Sequence, residues 1–153
     1  MNLNQKISFD ELLPIIKEEL EMGRSIAFTA FGNSMCPTIR GGLHHVTLSP
    51  LNSPPKKGDI LFYRRENGMF VLHRLCKIKK DGSYVFFGDN QFTPENEIDD
   101  SNIIAKLTKL ELNGKDVTPS PRFQVLYTNL LSFRRIYLRL KLYFKRFLKK
   151  LFT

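Results

Sequence analysis

With 153 residues the chain has the length of one ordinary domain, enough to enclose a hydrophobic core and too little for two domains and a linker. Its formal charge of +9 suggests a nucleic-acid binder until the charge is placed: nine of the 24 Lys and Arg follow Asp116, and the remaining 15 balance all 15 Asp and Glu of residues 1 to 116. Cys36 and Cys76 are too few for a disulfide-stapled scaffold and read as free thiols, with a bridge between them as the alternative. These cysteines with His44, His45 and His73 show no metal-ligand spacing, so neither a metal nor another cofactor is expected.

In chain order, Met1 to Lys6 lack the apolar run and small-residue cleavage site of a secretory signal. Ser8 and Glu11 resemble a capping box, and Leu12, Ile15, Ile16 and Leu20 continue at helical spacing to Gly23, which predicts a helix over residues 8 to 22. Ser25 to Phe31 alternates with β-branched and aromatic residues and reads as a strand ending at Gly32. Short strands follow at about Val46 to Leu48, Ile60 to Arg64, Phe70 to Lys79, Tyr84 to Phe87 and Ile103 to Leu112. They are cut by turn chemistry at Ser53-Pro54-Pro55, Lys57-Gly58-Asp59, Asn67-Gly68, Asp81-Gly82 and Gly88-Asp89-Asn90. The pattern predicts a mainly β, antiparallel domain over residues 1 to 118, with no internal repeat.

From Pro119 the composition changes, and residues 119 to 153 read as a basic amphipathic helix beginning near Phe123. Phe133, Ile136, Tyr137, Leu140, Tyr143, Phe144, Phe147, Leu148 and Leu151 fall on one face. Arg134, Arg135, Arg139, Lys141, Lys145, Arg146, Lys149 and Lys150 fill the other. Such a helix lies in the interface of an anionic bilayer, each nearby cation contributing about 1 kcal/mol, and packing of its apolar face on the β domain or on a partner helix is the competing expectation. Nucleic-acid binding is disfavoured, since no recognised nucleic-acid module accompanies the basic tail. No run of about 18 apolar residues occurs, so the expected location is a membrane surface, reached peripherally, or the cytoplasm, with no signal peptide and no transmembrane helix.

Hydrolysis of an amide without a metal needs an activated nucleophile, a base and donors for the oxyanion. Gly32-Asn33-Ser34-Met35-Cys36-Pro37-Thr38-Ile39 places Ser34 on a glycine-led turn after a strand. Taken alone this is an ordinary Gly-Asn-Ser turn. Taken with its sequels, Gly-x-Ser-Met-x-Pro-Thr-Ile resembles the nucleophile box of type I signal peptidases and their LexA-type relatives. Lys57-Gly58-Asp59-Ile60-Leu61 resembles the strand that follows it, His73-Arg74-Leu75 stands where the archaeal and endoplasmic-reticulum members have His-Arg, and Gly88-Asp89-Asn90 is similar to the family's Gly-Asp-Asn box. The four boxes occur in the family's order across about residues 28 to 107.

The resemblance implies a signal-peptidase-like fold and a serine endopeptidase acting on a leader-bearing or membrane-associated polypeptide. Ser34 is then the nucleophile and His73 its general base, an imidazole with a reference pKa of about 6.5 that takes a proton at neutral pH without deep burial. The family's orienting aspartate lies six residues beyond that of Gly-Asp-Asn, an offset that falls on Glu95, one methylene longer. Asp89 itself is the alternative orienting carboxylate, or a turn former. Gly32, Asn33 and Met35 are expected to line the substrate site, with the Ser34 N–H as oxyanion donor and Asn33 as a possible second. Gly32 replaces a serine that donates there in many bacterial members. His44 and His45 are expected on a surface loop, and Asp99 and Asp100 in solvent. Two other readings keep the scaffold: a self-cleaving LexA-type peptidase, and a catalytically silent peptide-binding or membrane-adaptor module.

Overall fold

The computed structural model describes residues 9–151, with side chains from 14 to 137, except 97, and at 140. The first helix, α1 (Phe9–Glu21), stops where its glycine predicts: Gly23 adopts φ +76°, its N–H donates to Leu20 O at 3.0 Å, and the Arg24 N–H reaches Glu19 O at 2.9 Å. These two bonds satisfy carbonyls that a helix end otherwise leaves without partners. Pro14 lies inside α1. The expected Ser8–Glu11 cap lies outside the described residues. Ile16 and Leu20, four residues apart, carry the apolar face of α1 into the core.

The strands are β1 (Ile26–Thr29), β2 (His44–Ser49), β3 (Ile60–Arg64), β4 (Phe70–Ile78), β5 (Tyr84–Phe87), β6 (Glu95–Ile98), β7 (Ile103–Leu112) and β8 (Lys115–Asp116). They pair antiparallel in the order β1-β2-β7-β3-β4-β5-β6, with β8 added to β7, so the protein is a mainly antiparallel β-sheet with two helices. Three elements had no sequence signal. β6 reads Glu-Asn-Glu-Ile and buries only Ile98 among its described side chains, and a single 3-10 turn (Asp100–Asn102), capped by Asp99, separates it from β7. β8 is two residues long. β2 also begins earlier than predicted, which corrects the reading of His44 and His45: both are strand residues, and His44 is 6% exposed, its Nδ1 accepting the Arg40 N–H at 3.1 Å.

β3 is buried on both sides, and its period of two sorts the core. Ile60 and Phe62 join a cluster with α1, Met35, Ile39, Val46, Leu48 and Leu107, whereas Leu61 and Tyr63 join Leu75, Tyr84, Phe86 and Ile98. The two turns predicted from Asn67-Gly68 and Asp81-Gly82 both close as three-residue loops. Arg65 N–H donates to Met69 O and Lys79 N–H to Ser83 O, each at 2.8 Å, with Gly68 at φ +84° and Gly82 at φ +85°.

The second helix, α2 (Pro121–Leu151), starts two residues before the predicted point because Ser120 accepts the Phe123 N–H and Pro121 occupies the first helical position. Its first turns pack on the sheet through Thr128, Leu131 and Arg135, all buried. Gly58, at φ +97°, is where β-domain backbone meets helix backbone: a Cβ there would stand 3.0 Å from the Val125 nitrogen. Arg135 corrects the expectation that it faces a membrane. It is 6% exposed, donates to Gly88 O at 2.9 Å and Gln91 O at 3.0 Å, and lies over the Phe87 ring at 4.1 Å. Arg139, Lys141, Lys145, Arg146, Lys149 and Lys150, with Tyr143, Phe144, Phe147, Leu148 and Leu151, have side chains outside the described residues. Among the described residues no helix is long and apolar enough to cross a membrane. Gly58→Ala is expected to lower stability by about 1–3 kcal/mol, from the positive φ and the helix contact together, read as a lower urea midpoint at unchanged slope.

Candidate active site

β1 hands the chain to a loop that is pinched at its base. Gly41 N–H donates to Gly32 O at 3.1 Å and Gly42 N–H to Ala30 O at 2.8 Å, and a Cβ on Gly41 would stand 2.5 Å from Gly32 O. Within the loop, Met35 and Ile39 are buried as anchors, Cys36 N–H donates to Asn33 O, Ile39 N–H donates to Met35 O, and the Cys36–Pro37 peptide is cis. Ser34 rides on this anchored turn, half-buried. Both cysteines are free.

The Gly88-Asp89-Asn90 turn presses onto the same loop from the far end of the sheet. Asn90 N–H donates to Ser34 O at 2.8 Å, and a Cβ at Gly88 would stand 2.6 Å from that oxygen, so only glycine admits the approach. Asp89 is buried and takes both its oxygens to Arg74, at 2.7 Å from Nε and 2.8 Å from the second guanidinium nitrogen, with the Thr38 hydroxyl donating as well. Its carboxylate therefore holds the turn, and the group beside His73 is a different one.

That group is Glu95, at the head of β6. His73 lies on β4 opposite Leu61 and is 1% exposed. Its Nε2 is 3.0 Å from Ser34 Oγ and its Nδ1 2.8 Å from Glu95 Oε1. A carboxylate at Nδ1 assigns the ring proton to that nitrogen and leaves Nε2 with a lone pair toward the serine hydroxyl. Two residues without a sequence signal complete the set. The Tyr63 hydroxyl donates to Glu95 Oε2 at 2.8 Å and lies 3.4 Å from His73 Nδ1, and Arg65 forks onto both Glu95 oxygens, with Nε at 2.7 Å from Oε2. Their common face follows from the period of two along Leu61, Tyr63 and Arg65, once the hairpin register sets Leu61 against His73.

Burial pushes the Glu95 carboxyl upward, but hydrogen bonds from His73, Arg65 and Tyr63 outweigh it and hold the group well below the usual carboxylate range. Burial, with the neighbouring Glu95 charge, raises Tyr63 far above an ordinary phenol, so it stays a donor. His44 and His45 lie away on β2, His45 against Thr29. Asp99 caps the 3-10 turn, and Asp100 accepts the Tyr84 hydroxyl. Among the described residues no group of three or more His, Cys, Asp or Glu is placed to hold a metal.

An apolar cavity of about 250 Å³ opens beside Ser34, with Phe28, Ala30, Ile39, Phe62, Val71 and Leu72 among its walls and Gly32 and Met35 also lining it. It is large enough for one or two side chains. A more open cleft of about 1070 Å³, beside Lys17, Pro54 and Asn102, touches neither Ser34 nor His73 and shares only Arg65 with the cluster. The smaller cavity is the one that Ser34 lines. Of the residues expected to line it, Asn33 is exposed and its carbonyl accepts the Asn90 side-chain amide at 3.4 Å.

The chain matches no family model, no curated protein and no solved structure.

Two stability experiments follow from these contacts. Because Glu95 is depressed in the folded state, its contribution is present above its unfolded value of about 4.3 and is lost as pH falls through the folded value. Glu95→Gln should therefore be less stable than wild type at pH 7, and the gap should close on acidification below pH of about 4, measured by denaturant unfolding at each pH. Asp89→Ala strands a buried guanidinium and is expected to cost about 3–5 kcal/mol in the same assay.

Proposed function

We propose that the protein is a serine endopeptidase of the signal-peptidase type, cleaving leader or other membrane-associated polypeptides. The observation that carries this reading is the unbroken line Ser34 Oγ, His73 Nε2, His73 Nδ1, Glu95 Oε1, with contacts of 3.0 and 2.8 Å, ending beside an apolar cavity that Ser34 itself lines. Ser34 and His73 stand in two of the four sequence boxes, and Glu95 stands at the offset beyond Gly88-Asp89-Asn90 that the resemblance implies.

In this mechanism Ser34 Oγ attacks the scissile carbonyl carbon while its proton passes to His73 Nε2. The imidazolium is stabilised by Glu95, whose charge Arg65 and Tyr63 keep in place. The tetrahedral oxyanion forms beside the Ser34 N–H; among the described residues, no backbone carbonyl accepts a hydrogen bond from that N–H. Collapse breaks the C–N bond, the amine leaves with the proton from Nε2, and the acyl group remains as an ester on Ser34. Water then attacks the ester, giving its proton to Nε2, and the ester C–O bond breaks as Nε2 passes that proton to Ser34 Oγ, which releases the acid and restores the serine hydroxyl.

Substrate placement is supported by sheet topology. β1 forms one edge of the sheet, and β5 joins β4 only from Arg74 onward. An extended peptide entering between β1 and the first half of β4 would add backbone hydrogen bonds and place one apolar side chain in the cavity.

The test is cleavage of a panel of leader-peptide substrates in vesicles by wild type, Ser34→Ala and His73→Ala, with products identified by mass spectrometry and folding checked by circular dichroism. Wild type should cleave at defined sites, and each variant should lose about 10³-fold or more in kcat/KM while remaining folded. Cleavage that persists in both variants would remove Ser34 and His73 from the mechanism. Binding of the peptides without cleavage by any of the three would assign the scaffold to a silent peptide-binding module.

A further inference from the structure

Helix α2 has two faces with different surroundings. Gln124, Thr128, Leu131 and Arg135 turn toward the sheet: Gln124 Oε1 lies 3.5 Å from Arg74, and the other three are buried. At 100° per residue the opposite face carries Leu126, Leu130, Phe133, Tyr137 and Leu140, with exposures from 56 to 71%. The β domain therefore does not cover the apolar stripe, although it does take the helix's other side. A continuous row of large apolar residues left in water marks a surface that something else covers.

Charge identifies the occupant. The segment after Asp116 holds nine Lys and Arg and no Asp or Glu, and Arg134, adjoining the stripe, is exposed. The spacing of the stripe, alternately four and three residues, also fits a helix pair with a second copy. The same helix of a second copy, however, brings the same positive charge against the first and contains no Asp or Glu to offset it. An anionic bilayer supplies negative charge along the whole length, accepts aromatic rings at the headgroup level, and needs no matching shape.

We infer that α2 is a bilayer-docking helix, which lays Leu126, Leu130, Phe133, Tyr137 and Leu140 into the surface of an anionic membrane. It does so while its opposite face is bolted to the Gly88–Gln91 turn through Arg135. Because Asn90 of that turn also donates to Ser34 O, the docked helix and the Ser34 loop grip one turn from two sides. The Ser34 site is thereby held at a fixed, short separation from the docking helix, whatever reaction it performs. The inference does not rest on peptidase activity.

The experiment is co-sedimentation of the full chain with vesicles of phosphatidylcholine containing phosphatidylserine, and with phosphatidylcholine alone, at a salt concentration of about 0.15 M. It uses wild type, the double variant Phe133→Ser with Tyr137→Ser, and Val117→Ser, an exposed apolar control off the helix. Circular dichroism and thermal melting verify that the substitutions, at exposed positions, leave the fold intact. Wild type and Val117→Ser should bind the anionic vesicles, and bind phosphatidylcholine more weakly. The double variant should lose about tenfold or more in partition coefficient. No binding by wild type overturns the inference, as does binding that the double variant retains and added salt abolishes, which would mean charge alone. Sedimentation equilibrium supplies the last arm: a stable dimer at micromolar concentration that the same two substitutions dissociate would assign the stripe to a second copy.

Discussion

The buried pair of Arg74 and Asp89 is the contact on which the rest of the arrangement depends. Two charges at 1% and 0% side-chain exposure are costly to desolvate, and an isolated pair of this kind is often no better than apolar packing. Here the guanidinium is saturated further by Gly58 O at 3.1 Å, with Gln124 and Thr38 at longer range and the Tyr127 ring 5.2 Å away. These partners come from the Ser34 loop, the turn before β3, the Gly-Asp-Asn turn and α2. One fork-shaped side chain thus joins four segments far apart in sequence, and the geometry around Ser34 is fixed by their agreement. Specification, more than net stability, is what such a cluster contributes.

Around His73 the same logic runs in a second layer. A carboxylate beside an imidazole fixes its tautomer only if the carboxylate is itself fixed. Glu95 is one methylene longer than aspartate and has more freedom to lose, and it stands on a short strand that buries a single described apolar side chain, Ile98. Arg65 and Tyr63 remove that freedom by holding both oxygens. The bidentate fork orients the carboxyl plane, and the phenol, kept protonated by burial, blocks the remaining approach. The longer side chain is compatible with the site because Tyr63 of β3 and Arg65, the residue that follows β3, supply two donors to meet it.

How much of this was legible in the sequence can be judged residue by residue. β3, β5 and β7 have the predicted bounds because their alternation and flanking turns are strong. β6 was missed because Glu-Asn-Glu-Ile carries almost no apolar pattern, and it is held by pairing with Phe86 and Tyr84. Ser34, His73 and Glu95 were named from local boxes and their offsets, and they meet within hydrogen-bond reach. Tyr63 and Arg65 carried no box. Finding them requires knowing which residues in and just after β3 share a face with His73, which is a question of register and not of composition. The role of Arg135 was misread for a related reason: helical spacing placed it with the other cations, and only the position of Gly88 O and Gln91 O makes it a clamp.

Register, in turn, rests on one residue. The Asn67-Gly68 turn closes with three loop residues because Gly68 takes a left-handed φ of +84° at the third position, so Arg65 faces Met69 and Leu61 faces His73. A two-residue loop over the same dipeptide would slide the pairing by one and set Leu61 against Arg74. Since side chains alternate faces along a strand, that slip would turn His73 away from Tyr63 and Glu95 and aim the arginine there instead. Arg74 would then lose Asp89, and Ser34 would lose the turn that supports its carbonyl. The two clusters, one around Asp89 and one around Glu95, are built from adjacent residues of β4 that point in opposite directions. Both can be satisfied in only one register, so each reports on the correctness of the other.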